Sequence, residues 1–332
     1  MNLDHENYYG PEANKAYMSK SQFGSWQECE AATLAELNGE YIPEKSTAVL
    51  VGGYIDAALD SPEELEKFKT EHPEMFNVKL EELSDTRQRV SELDPEALTK
   101  TGNWKSGKLT EARERFPECF NRVVTLKADF VQAEQIVERC LSDRLFCLLT
   151  GNTPETKDHV QRQAILVGKI AGVPFRGKAD YLLDEVACRI IMQEFPETAE
   201  ALGGQFTEGA IVDLKSTKDF GQIFDETVLA KVSWIDYWHY PTQGGIYREL
   251  HRQMTGKTLP FVIVAVTKEK ATDIGAYYIP HGEMEAALHI VEENAHVYQK
   301  IKRGKLAPMR CEKCAYCKAT KKLTGIVNYK EA

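Results

Sequence analysis

A chain of 332 residues with 42% hydrophobic content is long enough for one large core or two ordinary ones. It holds no run approaching the roughly 18 to 20 apolar residues that span a bilayer, and its N-terminus is polar and acidic where a secretion signal would be basic and then apolar. A formal net charge of −10 excludes a protein that coats nucleic acid through a general excess of Lys and Arg, so any phosphate contact must be local.

In chain order, Ser19 to Leu37 carries Phe23, Trp26, Ala31, Leu34 and Leu37 at helical intervals and predicts one N-terminal helix containing Cys29. The apolar run Val49 to Leu59, with Gly52 and Gly53, predicts a short helix packed closely on a neighbour. Ser61-Pro62-Glu63-Glu64 supplies an N-cap, a first-turn proline and acidic residues beside the dipole for the next helix. From about 77 to 116 the chain is charge-dense and poor in apolar residues, which predicts a mobile insertion. Ala128 to Leu149 then has the period of one long helix.

Beyond Gln161 the pattern changes to short apolar runs separated by turn residues. Ala164 to Ile170, the turn Ala171-Gly172 and Val173 to Leu183 predict a hairpin, and Ala210 to Lys215 and Phe261 to Val266 predict central strands. Tyr240 to Met254 predicts a helix between those two strands; a strand over Ile274 to Ile279 and a helix over Met284 to Ile301 follow. The expected class is α/β (α+β), a mixed central sheet flanked by helices. The expected division is a helical N-terminal part (1–150), a core (151–306) and a Cys-rich tail (307–332), integrated in one domain.

The chemistry concentrates in the second half. Strand period two puts Asp213 and Lys215 on one face and Leu214 on the other, so a carboxylate and an ammonium aim at one spot. Alone, Asp-x-Lys at a strand end is more often a surface ion pair. Asp180 ends the hairpin strand, and a second carboxylate beside Asp213 would make an oxygen-rich site for Mg²⁺ or Mn²⁺, with Lys215 orienting water or neutralising charge at a phosphate. Gln243 and Tyr247, four apart, share one face of the following helix and can both hydrogen-bond. The aromatic cluster Trp234 to Tyr240 is expected mainly in the core, with one Trp, such as Trp238, exposed and able to stack on an unpaired base. Arg176, Lys178 and Lys218 are candidates for phosphate contacts.

Of the eight cysteines, five are scattered singly, which with the absence of a signal segment suggests a cytoplasmic protein without a disulfide framework. Cys311, Cys314 and Cys317 have metal-ligand spacing, but three thiolates cannot complete a four-ligand site.

Together these motifs resemble, over nearly the whole chain, the RecB-like and RecE-like (exonuclease VIII) branch of the PD-(D/E)XK nucleases, common in phage and prophage recombination modules. That branch carries Gly-x-x-x-His in an early helix, then Gly-x-x-Asp, Asp-x-Lys and Gln-x-x-x-Tyr. Here Gly177 to Asp180, Asp213 to Lys215 and Gln243 to Tyr247 match, whereas Asp56 stands where the family usually has His after Gly52. Gln163 lies where some relatives carry an acidic residue. The resemblance implies a restriction-endonuclease-like fold and a Mg²⁺-dependent DNA exonuclease. Its metal would be held by Asp56, Asp180, Asp213 and the Leu214 backbone carbonyl. It further implies a homo-oligomer working with a single-strand annealing protein, and a [4Fe–4S] cluster on Cys311, Cys314, Cys317 and Cys29, with zinc as the alternative. The competing reading is a DNA-binding or assembly module with a degenerate nuclease site.

Overall fold

The computed structural model describes residues 2–44, 46–323 and 325–326. Its strands are β1 (Phe76–Glu82), β2 (Phe120–Leu126), β3 (Val160–Ile170), β4 (Val173–Leu183), β5 (Ala210–Thr217), β6 (Ile223–Asp225), β7 (Ala230–Val232), β8 (Phe261–Thr267) and β9 (Ile274–Tyr278). Backbone contacts divide the chain into two units, one of residues up to 52 together with those from 136 on, the other of residues 53–135.

The first unit is built on a five-stranded sheet of order β3-β4-β5-β8-β9. β3 and β4 form the expected hairpin, turning through Ala171 and Gly172 with φ of 47° and 76°, the doubly positive turn that matches strand twist. β4–β5 and β8–β9 are antiparallel, but β5–β8 is parallel. A parallel pair needs a crossover, and the helix Tyr240–Thr255 lies in that connection. All seven residues of β8 are buried, as its unbroken apolar run requires of a strand covered on both faces. The helix His281–Lys302 closes the core: Val291, Ala295 and Tyr298 are buried in the same cluster as Phe23 and Trp26, and the Tyr298 ring stacks on Trp26 at 5.9 Å. The class is thus the mixed α/β sheet with flanking helices expected from the sequence.

The second unit contains the antiparallel pair β1–β2 and the helices Thr86–Leu93 and Lys108–Arg115 around Val90, Ala97, Ala112, Cys119 and Phe120. The stretch near 77–116, expected to be a mobile insertion, carries regular structure around a small core of its own, where the buried Thr86 hydroxyl donates to the Cys119 carbonyl. Elsewhere in this unit Tyr54 packs between Phe68 and Phe130 and donates to Glu134 Oε1 at 3.1 Å.

Two helices break where the apolar period continues. The N-terminal helix is two, Lys20–Glu28 and Glu30–Leu37, because Cys29 adopts φ −162°, ψ 106°; its N–H closes the first helix on Ser25 O and its Sγ accepts from Ala32 N of the second. The long helix divides into Ala128–Leu141 and Arg144–Leu149, the second N-capped by Asp143, whose Oδ1 accepts from Phe146 N at 2.9 Å. Among the described residues no helix is long and apolar enough to cross a membrane.

Candidate active site

The site forms where the β4–β5 ladder opens. Pairing ends at Tyr181 opposite Val212, so the next positions in register are Asp180 and Asp213. There the Leu214 N–H is satisfied by a side chain: it donates to Asp180 Oδ2 at 2.8 Å. Across the other edge of β4, Gln163 of β3 stands opposite Asp180 with φ of 52°, a left-handed conformation uncommon for a non-glycine residue.

Asp213 is 1% exposed. Its Oδ1 accepts from Gln243 Nε2 at 2.6 Å. Its Oδ2 forms an ion pair with Lys215 yet accepts no well-directed hydrogen bond. Burial favours a neutral lysine here, but the carboxylates of Asp213 and Asp180 outweigh it and hold the Lys215 ammonium protonated well above the usual lysine range. Strand period two has therefore brought carboxylate and ammonium together as expected, and the helix Tyr240–Thr255 delivers Gln243 onto them.

One turn along that helix, Tyr247 is also buried, and its phenol is pushed well up, first by burial, then by the charges of Asp213 and Asp180. Its ring lies against Gly177, where an added Cβ would meet ring carbons at 2.6 Å. The Gly-x-x-Asp and Gln-x-x-x-Tyr motifs thus interlock: Gly177 leaves room for Tyr247 while Gln243 holds Asp213. Gly177→Ala is expected to force the ring aside and cost about 1–3 kcal/mol, the usual range for overpacking, measured as a lower denaturation midpoint. An unchanged midpoint would mean that the ring moves freely. Gly52 makes a comparable close approach, since its Cβ would lie 3.2 Å from Ser216 Oγ at the end of β5.

The remaining candidates divide. Arg176 is 3% exposed, stacks on Tyr8 at 4.6 Å and donates to Tyr8 O and Asn14 Oδ1. It anchors the N-terminal segment, so the expectation that it meets phosphate is corrected: its guanidinium is buried, with both Nη atoms bonded within the fold. Lys178 lies 5.2 Å from the Tyr9 ring centroid. Lys218 is almost fully exposed. Trp234 is buried and stacks on Phe220, while Trp238 is 50% exposed. Asp56 is exposed on the helix Thr47–Asp60, within the second unit. Sequence reasoning placed Tyr240 in the aromatic cluster but missed Lys20: the Lys20 and Lys215 ammonium groups lie 5.5 and 5.2 Å from the Tyr240 ring centroid. No local pattern links residue 20 to residue 215, so only the tertiary fold could show it.

Away from this site, Cys29, Cys311, Cys314 and Cys317 converge with all four sulfurs within 4.8 Å of one another. Cys29 and Cys317 are 3.5 Å apart, and Cys311 and Cys317 are 3.9 Å apart. Backbone amides point at the sulfurs: Cys314 N–H at Cys311 and Cys317 N–H at Cys314. Those of Cys314 and Lys313 hold the Cys311 thiol down at about 6, whereas burial pushes Cys29 up and Cys314 up to about 12. The donor set suits a metal that binds four thiolates. A zinc ion with Zn–S bonds near 2.3 Å sets sulfurs roughly 3.8 Å apart, close to the separations found.

Residues 19–190 and 205–320 match the model of a protein family described as "PDDEXK-like domain of unknown function (DUF3799)". The chain belongs to this family. The matched residues include Asp180, Asp213 and Lys215. Its fold is similar to the crystal structure of a protein from Eubacterium rectale named "Putative exonuclease", with a TM-score of 0.71 and 28% identity over 100% of this chain and 98% of that one. None of the curated proteins matches the chain.

Proposed function

We propose that this DUF3799 chain is a Mg²⁺-dependent deoxyribonuclease that degrades DNA from its ends. The observation that carries this reading is the buried Asp213 carboxylate, bonded from Gln243, paired with Lys215 and opposite Asp180 where the β4–β5 ladder ends. Structural use alone explains it poorly, because a buried ion pair seldom repays its desolvation.

The residues fit a hard divalent cation. Asp213 Oδ2 is a buried oxygen without a directed hydrogen bond, Asp180 supplies carboxylate oxygens from the next strand, and oxygen donors suit Mg²⁺ or Mn²⁺. A bound Mg²⁺ would supply Lewis-acid stabilisation of charge on the scissile phosphate. The protein's own groups do the rest: Gln243 fixes the rotamer of Asp213, Lys215 presents a permanent positive charge to the phosphate, and Tyr247 stays a neutral phenol that keeps the carboxylates from solvent.

The RecE-like branch, Asp56 as a further ligand and a single-strand annealing partner are carried by the sequence resemblance, and the name of the Eubacterium rectale protein favours exonuclease over endonuclease action. The cysteine site is read as structural zinc in preference to [4Fe–4S], because thiolates bound to four separate irons stand farther apart than the edges of a single-metal tetrahedron. Incubation of the protein and Mg²⁺ with linear and covalently closed circular duplex, each with and without chelator, tests the activity. The expected result is Mg²⁺-dependent loss of linear DNA from its ends with circles left intact. Nicked or linearised circles would make the protein an endonuclease, and intact DNA throughout would contradict the nuclease reading.

A further inference from the structure

Lys20 opens the helix Lys20–Glu28, far in sequence from the catalytic strand, yet its ammonium shares the Tyr240 ring with that of Lys215. It donates to Trp238 O at 3.1 Å, which uses one of the three donors of an ammonium group. Two ammonium groups gathered on one half-buried ring repel each other; Asp213 pairs with Lys215, and an anion beside Lys20 would answer the second charge. The electrostatics agree: burial first, then the charge of Lys215, draws Lys20 down to about 8, with Asp213 and Glu28 pulling the other way.

From Lys20 a groove of about 840 Å³ runs between the helix Lys20–Glu28 and the β6–β7 hairpin with the turn that follows it. Two of its aromatic side chains are open to solvent, Trp238 at 50% and Phe224 at 54%. Its remaining charged lining is acidic, from Glu28, Asp225 and Glu226. A groove with carboxylates along its walls repels a row of phosphates, and a duplex would bring two such rows. Aromatic faces instead accept unpaired bases, which stack without regard to sequence. Lys20, the one Lys or Arg among the described lining residues, stands at the catalytic end, and His239 also lines the groove.

We propose that Lys20 binds the phosphate next to the one being cut, and that the groove beyond it receives the bases of the unpaired strand, stacked on Trp238 and Phe224. This rests on the nuclease reading above and adds to it which strand state the site takes and which residue holds it.

The test compares the wild type with Lys20→Met and Lys20→Arg on two substrates: linear DNA, and thymidine 5′-(p-nitrophenyl phosphate), a single phosphodiester with no neighbouring phosphate. Losing a charge-assisted contact to the adjacent phosphate should cost Lys20→Met roughly 10- to 100-fold in kcat/KM on DNA, chiefly through KM. The loss on the single diester should be at least several-fold smaller. Lys20→Arg, which keeps the charge, should recover most of the DNA rate. Equal losses on both substrates, or none on either, in an active enzyme would overturn the role of Lys20 alone. A wild type inactive on both substrates would overturn the nuclease reading and this proposal with it.

Discussion

Asp213→Asn is expected to abolish cleavage, by roughly 10²- to 10³-fold or more, while the protein remains folded. Asparagine keeps an oxygen that can accept from Gln243 and removes a buried negative charge, so the packing around Oδ1 survives. What disappears is the charge that attracts a divalent cation and fixes Lys215. Wild-type protein should also melt at a higher temperature as Mg²⁺ is added, since a ligand that binds only the native state stabilises it by mass action; the variant should lose that response. Lys215→Ala should be as inactive but less stable. Removing one partner of a buried pair leaves an uncompensated carboxylate, typically about 3–5 kcal/mol. A variant Asp213→Asn that still cleaved at the wild-type rate would remove Asp213 from the chemistry.

Cys29→Ser should release the metal of the cysteine site and lower stability by several kcal/mol, because the binding free energy of a structural metal is also folding free energy. The serine hydroxyl is not ionised near neutral pH and replaces the thiolate poorly. The tail should loosen more than detach, since other bonds hold it: Ala31 N–H donates to Met309 O at 3.0 Å and Met309 N–H to Glu30 Oε2 at 2.7 Å. Elemental analysis should find one zinc per wild-type chain and none in the variant. A brown protein with four irons and acid-labile sulfide would restore the [4Fe–4S] assignment, and metal-free protein of undiminished stability would remove the site.

The parts of this molecule that were legible in the sequence are those ruled by local period. Asp213 and Lys215 could be placed on one face because a strand alternates, and Gln243 and Tyr247 because a helix returns near every fourth residue. The β3–β4 hairpin announced itself through Ala171-Gly172 between apolar runs. What period cannot carry is the identity of the neighbour. Gly177 reads only as a strand and motif position until the Tyr247 ring is seen against it, and Arg176 reads as a cation on a strand until Tyr8 and Asn14 are found beside it. The break at Cys29 was hidden because Phe23, Trp26, Ala31 and Leu34 keep a helical rhythm across it. Strands as short as β6 and β7, three residues each, leave too little pattern to find. Lys20 reached the site through packing of Phe23 and Trp26 against the closing helix, which no spacing in the sequence encodes.

The central claim, that Asp180, Asp213 and Lys215 form a metal-dependent nuclease site, is tested most directly by one cleavage assay. Wild-type protein and Asp213→Asn are incubated side by side with end-labelled linear duplex, with Mg²⁺ and with Mg²⁺ plus excess chelator. The account predicts labelled mononucleotides or short fragments from the wild type with Mg²⁺, and intact DNA in the other three reactions. Cleavage that persists with chelator or in Asp213→Asn, or intact DNA in all four reactions, would contradict it.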